Sequence, residues 1–341
     1  TTPMRPAPEF GLTVNGLVDP ADWGGLPAVV RQIGVGVVQV SAWRKDMSDD
    51  ALLRRDRPFD ALMNAFDRDD VRVIAALSTL PAGLSSHLQA AAPVAPPAAN
   101  AVPARPFAGA ATPDQPPSDS LLTLIKANPT LWRPYMSFLL ARYGTRTDFW
   151  EIGGHTPPAD SPFSSARTGN PSPHDFCDDP RYPQLYAKTY AQIADLLTRP
   201  GLVIPWNALY EFDATQFPHA ILDLRLPSSI KPDQIPAFID NFRQARPPSS
   251  ARRSTVGASP NMAARVPPGN ILVHLDPLPS GPYAREDRLA DFVKRVVFAR
   301  SVKPTAVLID LPLVRKSVPN SGAAAAIEPD ELLLVYRTLV H

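Results

Sequence analysis

The stretch Thr147-Asp-Phe-Trp-Glu-Ile-Gly-Gly-His-Thr156 decides the fold. An amphipathic segment ending in Arg142-Tyr-Gly precedes it, and a loop rich in Pro, Ser and Gly follows it. A short apolar run that ends in small residues and gives way to a polar loop is how a barrel strand delivers side chains to an active face. Strand alternation puts Glu151, Gly153 and His155 on one side. Glu151 is then expected deeper in the barrel or paired with a base there.

Working outward, the same strand-then-helix rhythm repeats. Strands are expected at Phe10–Gly16, Val35–Ser41, Val71–Leu77, Thr147–Ile152, Gly201–Asn207, Ala220–Pro227, Asn270–Asp276 and Thr305–Asp310. Helical patterns fall between them at 22–34, 51–70, 120–143 (interrupted at Pro129 and Pro134), 182–197, 231–242, 286–301 and 328–340. Gly34 reads as a helix stop. Tyr182, Tyr186 and Tyr190 recur at four-residue spacing, which sets them on one helix face as a core-packing stripe. Eight alternating units with near-continuous apolar strands imply a parallel sheet buried on both faces. Eight units favour closure, so the expected fold class is α/β, a (β/α)8 TIM barrel with long Pro-rich loops, in one domain spanning residues 1–341. Residues 82–118 are mostly Ala, Pro, Ser and Asn and are expected as a low-complexity loop insertion within it, with an ordered lid as the alternative.

Composition narrows the function classes. The chain has 341 residues, net charge +1 and no dense basic run, which argues against nucleic acid as a partner. Its 42 prolines are about 12% of the chain, against a usual ~5%, and most fall in loops. Cys177 is the only cysteine, so an intrachain disulfide and a Cys-based metal site are excluded. No apolar run approaches the ~20 residues needed to span a bilayer. The chain begins at Thr1 rather than Met, which is compatible with a removed N-terminal signal, and an extracellular or cell-surface location is expected. No Gly-x-Gly-x-x-Gly opens the first unit and no Walker-type loop occurs, so no cofactor is expected.

In a barrel of this kind the C-terminal strand ends build the active face. Those ends carry Asn15, Trp43, Arg44, His155, Trp206, Asn207, Asp276 and Asp310, with Glu211 and Asp213 in the loop after strand five. Carboxylates and amides to bond hydroxyls, with Trp faces to stack on a ring, make a polyol-binding set. Asn15, Trp43, Arg44, Trp206, Asn207 and Asp310 are the expected ligand-binding residues. Trp43 and Trp206 can equally cap the barrel core, Arg44 can pair with a neighbouring acid, and Asp223 and Arg225 share strand parity and can form an internal pair. His155, His174, Asp175, Asp178 and Asp179 crowd one loop, but the His-x-His spacing of barrel metallohydrolases is absent, and His219 and His274 stand alone. No metal site is expected.

The strand-four stretch resembles that of clan A glycoside hydrolases, (β/α)8-barrel enzymes whose fourth strand usually ends in a Trp-x-x-Gly-Asn-Glu-like motif. Trp150, Ile152 and Gly153 fit. Gly154 stands where Asn would be, and His155 where the general acid/base Glu would be. The resemblance implies a nucleophile Glu at the end of strand seven, where Leu272-Val-His-Leu-Asp-Pro277 offers Asp276. Catalytic candidates are therefore Asp276, Glu211 as a displaced acid, and His155 as a proton donor. The resemblance implies a glycoside hydrolase-like barrel that binds carbohydrate with a degenerate catalytic site. An active retaining glycosidase using Asp276 and Glu211 is one alternative. A scaffold that meets other domains or chains of an extracellular assembly is another.

Overall fold

The computed structural model describes residues 6–14, 20–45, 47–90, 121–153, 182–196, 201–207, 220–244, 271–275, 284–310 and 329–341. Eight parallel strands close into a barrel in sequence order: β1 (Ala7–Thr13), β2 (Val35–Trp43), β3 (Arg72–Leu77), β4 (Phe149–Ile152), β5 (Leu202–Asn207), β6 (Ile221–Leu226), β7 (Ile271–Leu275) and β8 (Ala306–Asp310). Strand β8 pairs with β1 through Phe10↔Val307 to Thr13↔Asp310 and shuts the ring. The expected fold class is the observed one.

The helices among the described residues are α1 (Leu26–Ile33), α2 (Asp49–Leu53), α3 (Arg57–Arg68), α4 (Ala82–Ala90), α5 (Thr123–Lys126), α6 (Pro129–Tyr143), α7 (Tyr182–Leu196), α8 (Ile235–Gln244), α9 (Arg285–Ser301) and α10 (Pro329–Val340). Gly34 ends α1 as expected, with φ 86° and its N–H bonded to the Val30 carbonyl.

Three expectations change. The segment read as one helix over 51–70 is two. Ser48 caps α2 by accepting from the Ala51 N–H, and Asp56 caps α3 by accepting from the Phe59 N–H, with Pro58 in the first turn. That cap followed by Pro is a restart signal. Pro134, expected to interrupt its helix, lies inside α6 without ending it. Burial of Trp132, Met136, Leu139, Leu140 and Tyr143 along the same helix outweighs the one missing N–H. The first nine residues of the 82–118 stretch are helix α4, because Leu84 and Leu88 reach the core. Residues 91–118 lie outside the described residues.

Two apolar clusters divide the interior. The larger fills the layer between sheet and helices. It includes Tyr186, whose ring stacks on Tyr190 at 6.1 Å, in keeping with the core-packing stripe. The smaller cluster is Val37, Ile74, Val203, Leu272, Ala306 and Leu308, packed with Phe149 and Ile221. All eight come early in their strands, so they plug the N-terminal half of the barrel. Successive side chains alternate faces. Two residues further along β2, β4, β6, β7 and β8, the same inward face therefore carries Gln39, Glu151, Asp223, His274 and Asp310. A barrel floor of hydrocarbon thus supports a polar layer directly above it.

Candidate active site in the barrel mouth

The polar layer is one connected network. The Thr13 hydroxyl donates to Gln39 Oε1 at 2.6 Å. The Gln39 amide donates to Glu151 Oε2 and to Asp223 Oδ2, the latter at 3.3 Å. His274 Nδ1 lies 3.8 Å from Asp223 Oδ2, and its Nε2 lies 3.2 Å from Asp310 Oδ1. Arg225 Nη2 donates to Asp310 Oδ2 at 3.5 Å. Strands β1, β2, β4, β6, β7 and β8 each contribute a member.

The network is graded in depth. Glu151, Asp223, Gln39 and His274 are fully buried. Asp310, the last residue of β8, keeps 22% of its side chain exposed. It is the point where the network meets the mouth. Burial penalises charge on His274, but the Asp310 and Asp223 carboxylates outweigh that penalty and push its pKa from 6.5 up to about 10. The ring is therefore an imidazolium at neutral pH. His274 lies between the Asp223 and Asp310 carboxyl groups, Arg225 meets Asp310, and Gln39 supplies neutral donors to Glu151 and Asp223. This arrangement can accept hydrogen bonds from hydroxyls at its exposed end.

Of the residues expected to bind ligand, Asp310 is in the network. Trp43 is 1% exposed and belongs to the core, the capping place the sequence allowed. Arg44 lies under the rim. Its Nη2 pairs with Asp56 at 2.7 Å and its guanidinium covers the Trp23 ring at 4.6 Å, which is the neighbouring-acid arrangement. Trp206 and Asn207 end β5, opposite Leu224 and Arg225 of β6. Their side chains, and Asn15, His155, Glu211 and Asp276, lie outside the described residues. So do His174, Asp175, Asp178 and Asp179. Among the described residues no group of three or more His, Cys, Asp or Glu could hold a metal ion.

Glu151 sits deep on the inward face, the first of the two places the sequence allowed, and its partner there is the neutral Gln39 amide and not a base. The proposed Asp223–Arg225 pairing is replaced: Arg225 turns to Asp310, and Asp223 faces His274 and Gln39. Barrel stagger brings a residue of one strand beside a later residue of the next, so partners lie across strands rather than along one. Thr13, Gln39 and His274 are the members that sequence reasoning missed. Their shared signal is a polar residue at inward parity inside an apolar strand. At the opposite, N-terminal end of the barrel a hollow of about 460 Å³ is lined by residues including Arg31, Gly34, Asp69 and Asp70. It is remote from the strand ends where barrel chemistry is placed.

No protein-family model matches the chain, and no curated protein sequence matches it. Solved structures do. The cellulose synthase subunit Z from Clostridioides difficile aligns over 96% of this chain and 99% of its own, with TM-score 0.52 and 9% identity. A family 39 glycoside hydrolase from Bacteroides cellulosilyticus aligns over 98% of this chain, which spans 64% of that enzyme, with TM-score 0.52 and 11% identity. Thermotoga maritima Cel5A, solved in complex with cellobiose, aligns over 97% of each chain, with TM-score 0.51 and 10% identity. The fold that these structures share with the chain is the (β/α)8 barrel. At such identities the likeness is one of fold.

Among the described residues no helix is long and apolar enough to cross a membrane.

Proposed function

We propose that this barrel binds carbohydrate in its C-terminal mouth with a degenerate catalytic site. The observation that carries this is the state of the carboxylates in the polar layer. Glycoside hydrolysis normally uses one protonated and one ionised carboxyl group flanking the bond to be cut. Here Asp310 is ion-paired to His274 and Arg225, Asp223 faces His274 and Gln39, and Glu151 is fully buried against Gln39. Asp310, the exposed member of the three, is held between two cationic groups, which suits it to holding hydroxyls and suits it poorly to delivering a proton, while Asp223 and Glu151 have no exposed surface for a ligand to meet. The Gly154-His155 pair, where clan A barrels carry Asn-Glu, points the same way. The neighbours are named as glycoside hydrolases and a cellulose synthase subunit, which makes β-linked glucans the first ligands to try. An extracellular or cell-surface location, with other domains or chains as partners, fits this function.

Titration calorimetry of the chain against a panel of neutral and acidic oligosaccharides, run beside an aryl glycoside assay, tests it. Measurable binding without turnover is expected. No binding to any member of the panel overturns it. Turnover that is lost in Asp276→Asn and Glu211→Gln replaces it with an active retaining glycosidase.

A further inference from the structure

We infer that His274 is a positioning residue of the mouth, clamping the Asp310 carboxylate from below in the orientation that meets a ligand's hydroxyl groups. This deepens the carbohydrate-binding function and rests on it.

The geometry separates the two roles. His274 has no exposed surface, so a ligand in the mouth cannot touch it. Asp310 retains 22% exposure, so a ligand can touch that. Between them lies a contact of 3.2 Å from Nε2 to Oδ1. Among the described residues, Asp310 is the exposed group through which His274 can act on a ligand. The other carboxylate oxygen is approached by Arg225 at 3.5 Å. With a cationic partner at each oxygen, the carboxylate plane has little freedom to rotate. A carboxylate so fixed presents acceptor lone pairs in set directions, which suits a polyol with defined hydroxyl positions.

The ring is itself held. Asp223 faces its other nitrogen at 3.8 Å from β6, and the Gln39 amide from β2 ties Asp223 to Glu151 of β4. Among the described residues, the charged and titratable groups against His274 include Asp223 on β6 and Asp310 on β8, with Arg225 and Glu151 one partner further away. Beneath the layer is hydrocarbon, including Leu272 and Leu308. The ring is fully buried, and two flanking carboxyl groups favour donation from both nitrogens. A merely structural buried histidine could be neutral and satisfied by one partner. One placed between two carboxylates and the mouth holds a charge where the ligand-facing acid needs it.

The test uses imidazole ¹⁵N NMR on the wild-type chain and on Asp310→Asn, followed by oligosaccharide titration of wild type, His274→Gln, Asp310→Asn and the double variant. In the wild type His274 is expected to remain doubly protonated at pH 8, and in Asp310→Asn to lose its proton at lower pH. A neutral wild-type ring at pH 7, or a titration unmoved by Asp310→Asn, overturns the clamp. This arm needs no His274 variant to fold. In the binding arm, His274→Gln and Asp310→Asn each weaken affinity about ten-fold or more, as loss of a charged hydrogen bond implies, and the double variant binds no worse than Asp310→Asn alone. Wild-type affinity in His274→Gln, or additive losses, overturns the positioning role alone. Absence of any sugar binding by the wild type overturns it together with the function it serves.

Discussion

His274 Nε2 lies 3.2 Å from Asp310 Oδ1, so a fully buried ring on β7 is joined to the partly exposed last residue of β8. Burial opposes the charge on this ring, and Asp310 and Asp223 reverse that and raise its pKa from 6.5 to about 10. A group whose pKa is raised on folding stabilises the fold fully below its unfolded value. That contribution fades as pH rises through its folded value. The stabilisation is therefore present below pH 6.5 and lost between pH 6.5 and about 10. Urea midpoints measured at pH 6, 8 and 10 should fall by an amount equivalent to a few kcal/mol over that window. A midpoint that stays flat to pH 10 contradicts the charged ring.

Gln39 is the neutral bridge between two buried acids. It donates to Glu151 and Asp223 and accepts from Thr13. Gln39→Leu keeps much of the volume but withdraws a donor from each carboxylate. A loss of about 3 kcal/mol or more is expected, because two buried carboxyl groups each lose a hydrogen-bond donor. Chemical denaturation measures it, and a loss below about 1 kcal/mol contradicts the bridging role.

Arg44 and Asp56 form a buried pair at 2.7 Å, each with 4% of its side chain exposed. Arg44→Met strands the Asp56 carboxylate and should cost about 3–5 kcal/mol. Adding Asp56→Ser removes the stranded charge and keeps a cap acceptor for α3, so the double variant should recover most of that loss. Thermal unfolding of the three proteins checks the sign. A double variant less stable than Arg44→Met contradicts the account.

Gly11 marks where the barrel floor tolerates no side chain. A Cβ there would lie 2.4 Å from Leu308 Cδ2 and 2.9 Å from the Val37 carbonyl oxygen. Leu308 can yield, but the Val37 backbone is held in the β1–β2 ladder. Gly11→Ala should therefore destabilise by about 1–3 kcal/mol through overpacking, read as a lower midpoint at unchanged denaturant slope. Wild-type stability contradicts this packing.

The barrel was legible in the sequence because its signals are local. Eight apolar runs, each short and closed by polar residues, needed no long-range information. The depth of Glu151 followed from alternation along the Trp150 strand. The α2–α3 break was also written locally, in Asp56 and Pro58, where the apolar spacing from Leu52 to Phe66 suggested one continuous helix. The polar layer was not legible. His274 stands alone in the sequence and gains its partners only when stagger brings β6 and β8 alongside β7. Arg225 shares strand parity with Asp223 and could pair with it, yet it meets Asp310, two strands along the ring. Strand stagger is a property of closure and leaves no trace in the spacing of charged residues.

Residue-resolved ligand mapping tests the central claim most directly. The ¹⁵N-labelled chain would be titrated with oligosaccharides that include β-linked glucans, and its amide shifts followed. Carbohydrate binding in the mouth predicts shifts clustered at the C-terminal strand ends, at Ser41, Gly153, Arg225 and Asp310, with the opposite end at Val35, Arg72 and Ile271 unmoved. No shift with any sugar, or shifts confined to that opposite end, would contradict it.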